Sequence, residues 1–151
     1  MNTQQDNIKL LEKIYGRTLK ASETYRNASK NVHNRPLTSF FETAAVSHEK
    51  FADELKNELT QMGSKVDKKS SVNVSTDNFW SDFASIIVRR NESAMLKNCL
   101  KAEEKAIVLY DEAVDRNDID NTIKEKIRAQ RDYAKNLSSE VDALEKQYAS
   151  D

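Results

Sequence analysis

Four long stretches of this chain carry apolar residues at alternating steps of three and four, the spacing that lines one face of an α-helix. The last stretch is the most regular, with Ile123, Ile127, Gln130, Ala134, Leu137, Val141, Leu144 and Tyr148 in one seam. Seams of that kind are what helices need to pack side by side in a bundle. With two glycines and one proline in 151 residues, the chain lacks the turn residues that a sheet of comparable size requires. The expected fold class is therefore all-α, as one domain spanning residues 1–151.

The first helix is expected at about residues 6–32, with Ile8, Leu11, Tyr15, Thr18, Ser22, Tyr25, Ser29 and Val32 in register. Asn34-Arg35-Pro36 ends it, because proline disfavours helical geometry in the residue before it and suits a new first turn. A second helix, about 36–62, carries Leu37, Phe41, Ala44, His48, Phe51, Leu55, Leu59 and Met62, and Gly63 supplies its stop. Two further long helices follow at about 92–116 and 119–148. Short links make the first two helices antiparallel, and the last two likewise.

Between these pairs runs a connector from Ser64 to Arg90, long enough to travel the ~40 Å length of a helix. Such a length suits a crossover between parallel helices, the ferritin-like arrangement of a four-helix bundle. The connector carries a short helix at about 76–89, capped by Ser75 or Thr76, whose Phe79, Trp80 and Phe83 form an aromatic patch. Buried, that patch caps the bundle; exposed, it would be a site for a homodimer or a protein partner.

Near the middle of each seam a polar residue interrupts the apolar run: Ser22 (with Thr18 one turn earlier), His48, Glu103 and Gln130. Counting along the helices at ~1.5 Å per residue places all four within about one turn of a common level. A buried polar layer is costly unless its members bond one another or bind something. Di-iron bundles fill such a layer with a Glu on each of two helices and Glu-x-x-His on each of the other two. Here Ala45-Val46-Ser47-His48 keeps the histidine and loses the acid. Gln130-Arg131-Asp132-Tyr133 offers an amide and a phenol in place of the carboxylate and the imidazole. Only His48 and Glu103 survive as strong donors, too few to neutralise two divalent cations. The expected reading is a hydrogen-bonded interior network with no cofactor. The competing one is a single metal ion, iron or manganese, on His48 and Glu103 with Gln130, Tyr25 or Tyr110 as unusual co-ligands.

Charge and cysteine usage bear on function class. Net charge is −1 with both signs interspersed, and no stretch of sequence suggests a nucleic-acid face. Lys65, Lys68 and Lys69 read as a solvated loop. No apolar run approaches the length of a membrane span and the first residues do not resemble a signal peptide, so the expected address is cytoplasmic. Cys99 is the single cysteine, on an apolar stripe where a buried inert thiol is expected.

The stretches Phe40–Leu55, Cys99–Val114 and Gln130–Leu144, with the Gly63 stop and the aromatic crossover helix, resemble an uncharacterised bacterial family of ferritin-like four-helix-bundle proteins. The resemblance extends over nearly the whole chain. It implies a ferritin-like fold and, since the family is a domain of unknown function, no activity. Some relatives carry a histidine near the position of Ser138, and its absence here weakens a metal reading. The expected function is a non-catalytic bundle with a degenerate di-iron site, acting as a binding or structural module; the alternative is a redox or iron-handling protein using His48 and Glu103.

Overall fold

The computed structural model describes residues 3–66 and 79–149, and among these the chain forms five α-helices and no strand. They are α1 (Thr3–Asn31), α2 (Arg35–Gln61), α3 (Phe79–Val88), α4 (Glu92–Asp115) and α5 (Asn121–Ala149). Their boundaries lie within three residues of the expected ones. The expected caps of the crossover helix, Ser75 and Thr76, lie outside the described residues.

Local chemistry explains where the helices start and stop. Asn34 has extended backbone and its side-chain oxygen accepts from the Leu37 amide at 3.4 Å, with Pro36 in the first turn of α2. Asn91 does the same for α4 through the Ala94 amide at 3.1 Å, and Asp120 receives the Thr122 amide at 2.8 Å before α5. Past the end of α2, Gly63 sits at φ +90°; its amide donates to Thr60 and the Ser64 amide to Leu59, the paired bonds of a Schellman stop. No atom stands within 4 Å of a Cβ added at Gly63, so only backbone strain opposes a side chain there. Gly63→Ala is expected to lower stability by about 1 kcal/mol, measured by urea unfolding; an unchanged midpoint would refute this account of the stop.

Cross-helix contacts give the directions of the helices. Arg26 of α1 pairs with Glu49 of α2, and Glu12 near the start of α1 accepts from Ser64 beyond the end of α2, so these two run antiparallel. Arg131–Asp111 (3.0 Å) and Lys97–Glu145 (3.6 Å) make α4 and α5 antiparallel in turn. Arg116, just past α4, donates to Asn7 at the start of α1, and Lys126 near the start of α5 meets Glu58 near the end of α2. It follows that α2 and α4 point the same way.

Contacts within the α1–α2 and α4–α5 pairs are the most extensive, and the pairs join along α1–α4 and α2–α5. Across the diagonals, α1 with α5 and α2 with α4, no backbones come close. The short helix α3 lies against α1 and α4.

The core divides into two apolar halves. One holds Tyr25, Leu37, Phe41, Phe83, Ile87, Met95 and Val141; the other holds Leu11, Ile14, Leu55, Leu59, Tyr110 and Ile127. Trp80 and Phe83 face inward with their rings stacked 6.4 Å apart, and Phe79 packs edge-on against both. What that patch leaves open to a partner is part of Phe79. On α4, Met95, Leu96, Cys99, Ala102, Glu103, Tyr110 and Ala113 are buried, while Leu100, Ile107 and Val114 are half-buried.

Candidate functional site

Between the two apolar halves lies a polar waist. All five residues of the expected layer, Thr18, Ser22, His48, Glu103 and Gln130, are buried in it, but they divide in what they do. Thr18 and Ser22 turn their hydroxyls back onto their own helix, donating to the Ile14 and Leu19 carbonyls at 2.7 Å each. This is the ordinary local solution for a hydroxyl inside a helix.

His48 and Glu103 meet across the diagonal. The imidazole Nε2 lies 3.2 Å from the Glu103 carboxylate, both side chains being at most 2% exposed. On its other side Nδ1 lies 2.7 Å from the Ala44 carbonyl, an acceptor only, so Nδ1 carries a proton and Nε2 is the nitrogen presented to the carboxylate. The second carboxylate oxygen accepts from the Tyr25 hydroxyl at 3.1 Å. Contributions from α1, α2 and α4 thus converge on one acid. The first oxygen has no aligned hydrogen bond, so its contact with His48 is one of charge rather than of donor direction.

Aromatic rings hold the imidazole from two sides. Tyr25 packs edge-on at 5.1 Å and Tyr133 of α5 at 6.1 Å. On the other diagonal Tyr110 of α4 lies beside Thr18 of α1 and Gln130 of α5. The Gln130 amide nitrogen is buried with no hydrogen-bond partner. Tyr25, Tyr110 and Tyr133, the phenols of the layer, therefore surround the acid, and Cys99 lies beside the Tyr25 hydroxyl.

Proton affinities follow from this packing. Burial pulls His48 down, but the Glu103 charge and the Ala44 carbonyl outweigh it and hold the imidazole above its ordinary value of 6.5. Burial, with Cys99 and Glu103 nearby, pushes the Tyr25 hydroxyl well up, and burial with Glu103 does the same to the Cys99 thiol. Tyr110 is raised by the same two causes, and Tyr133 is pushed up to about 12, chiefly by burial. Cys99 is an inert thiol in this setting.

A raised folded value makes the His48 contribution to stability full below pH 6.5 and lost as pH rises through that value. The stability gap between the wild type and His48→Gln is expected to be widest in mild acid and to narrow on the alkaline side. Urea midpoints at several pH values test this; a gap that widened with pH would reverse the assignment of charge.

A small cavity adjoins the waist between α1 and α4, lined by Ile14, Ala21, Ala106 and Leu109 with Glu103 and His48. About 10 Å³ of it admits the centre of a water molecule, room for roughly one water. Arg17 and Trp80 also line it, the guanidinium lying 5.7 Å from the centre of the indole ring. The sequence gives little warning of Arg17, whose charge sits on a buried face of α1 with its stem packed inward.

The donor set does not fit a two-metal centre. Gln130 and Tyr133 occupy positions where a carboxylate and an imidazole would be needed, and Ala45 lies where an acid would precede His48 by three residues. Among the described residues no three of His, Cys, Asp and Glu gather within reach of one ion.

The fold and this waist define an all-α protein with an interior His–Glu–Tyr cluster. The chain belongs to the family described as a domain of unknown function (DUF2383), which it matches over residues 6–116. That span holds Tyr25, His48, Cys99, Glu103 and Tyr110; it stops short of α5, so Gln130, Tyr133 and the Gln130–Leu144 stretch lie beyond it. Of the resemblance expected over nearly the whole chain, the match bears out an uncharacterised domain over residues 6–116. No curated protein and no solved structure matches the chain.

Proposed function

We propose that this protein is a ferritin-like four-helix bundle whose di-iron ligand set has been reduced to one Glu–His pair, and that it acts as a non-catalytic binding or structural module. The observation that carries this reading is that the acid and the imidazole of the waist face each other. Glu103 spends one oxygen on His48 and the other on Tyr25, while the remaining imidazole nitrogen is spent on Ala44. An acid that faces an imidazole and accepts an internal hydroxyl has part of the cost of its burial offset without a metal. Two antiparallel helix pairs joined by a crossover support the ferritin-like assignment.

One observation favours a second reading, iron or manganese held by His48 and Glu103. A histidine whose Nδ1–H is anchored on a backbone carbonyl presents Nε2 in the way that metal-binding histidines do. Elemental analysis of protein purified without chelator or nickel resin separates the two. The module reading expects no stoichiometric iron or manganese and no uptake from solution. Stoichiometric metal that Glu103→Ala removes would overturn it in favour of the second.

A further inference from the structure

Folding gathers at one end of the bundle charges that are scattered in the sequence. The segments 30–35 and 88–92 are far apart along the chain, yet the Arg90 guanidinium lies 3.1 Å from the His33 ring. Together they carry Lys30, Arg35, Arg89 and Arg90 against one acid, Glu92. All four cations are exposed, and none has an acidic partner among the described residues: Arg89 bonds the Ser85 hydroxyl and Arg90 faces His33. Some charges elsewhere are paired, as in Arg26–Glu49, Lys97–Glu145, Lys126–Glu58 and Lys146–Asp142.

Helix-end electrostatics favour Lys30, in the last turn of α1, and Arg89 and Arg90, just past α3, but they do not account for Arg35. The first turn of α2, where the helix dipole favours acids, has none and begins with Arg35. In the midst of the cations, Val88 is 76% exposed.

We propose that this end of the bundle docks on an anionic lipid surface, meeting it end-on through Lys30, Arg35, Arg89 and Arg90 with Val88 among them. Charge complementarity selects an anionic partner. The geometry selects a plane over a nucleic acid, because the cations sit on an end and do not form a stripe along a face that a backbone could follow. With α2 ~40 Å long, most of the chain's acids stand further from such a plane than the ~8 Å screening length and do not oppose the approach. Juxtaposed basic residues and an exposed apolar side chain are the pair of signals that reversible surface attachment uses.

The test is co-sedimentation of the full chain with vesicles of phosphatidylcholine alone and of phosphatidylcholine mixed with phosphatidylglycerol. Binding to the mixed vesicles is expected to be about tenfold tighter or more, and to weaken as salt is raised. A variant combining Lys30→Gln, Arg35→Gln, Arg89→Gln and Arg90→Gly should lose that preference. Arg90 occupies a left-handed position (φ 57°) that suits glycine, so this variant keeps its helix stop, and circular dichroism checks that it folds. A control with the same loss of charge elsewhere, at Lys9, Lys13, Lys50 and Lys56, should bind as the wild type does. Equal partition onto both vesicle types, equal loss of binding in the control, or tighter binding to a DNA duplex than to the mixed vesicles would each overturn the proposal.

Discussion

His48→Leu is expected to lower the unfolding free energy by about 3–5 kcal/mol, the usual cost of removing one partner from a buried ion pair. The replacement keeps roughly the volume of the imidazole, so the loss is one of charge and not of packing. Glu103 would be left in an interior site, 1% exposed, with the Tyr25 hydroxyl as its one bonded neighbour. A carboxylate there must hold its charge uncompensated or take up a proton, and either outcome weakens the native state.

The sharper test adds the second replacement. Because desolvating two charges offsets most of their attraction, His48→Leu with Glu103→Met is expected to recover most of the stability lost in the single variant. Urea unfolding of the wild type, both single variants and the double gives the coupling directly. A single-variant cost under about 1 kcal/mol would mean that the waist contributes little to holding the bundle.

Phe83→Ala should cost a similar amount, about 3–5 kcal/mol, for a different reason. Phe83 is fully buried, faces the edge of Tyr25 at 6.3 Å and stacks on Trp80, so it is the residue through which α3 is seated over the core. Its removal leaves a void between α3 and the core. Since Trp80 is the only tryptophan, its fluorescence reports on that seat alone. The emission is expected to shift to the red in Phe83→Ala while far-ultraviolet circular dichroism stays close to the wild type. An unshifted emission together with a small stability loss would show that α3 is held by other contacts.

The helices and their pairing were legible in the sequence because apolar periodicity and caps such as Asn34, Asn91 and Gly63 act locally. The depth of the polar layer was legible too, since rise per residue converts position into height. What periodicity does not convey is how a side chain spends its bonds. Thr18 and Ser22 share the layer with Glu103 yet satisfy themselves on their own helix, while Tyr25, an ordinary seam aromatic by spacing, reaches the acid. Burial of Arg17 was hidden by its charge. The cationic end was hidden for another reason, because composition averages over a chain that folding then sorts by position. No seam could announce that Arg90 and His33 would become neighbours.

The uneven packing between helices also bears on how the molecule assembles. Most contacts lie inside two hairpins, each made from neighbouring parts of the chain, and the surfaces that join the hairpins are thinner. Low contact order of this kind favours rapid folding, with α1–α2 and α4–α5 forming early as separate units and docking afterwards. The His48–Glu103 pair bridges the two units, so it would close only in that final docking step. Mutations there should accelerate unfolding while leaving the refolding rate nearly untouched.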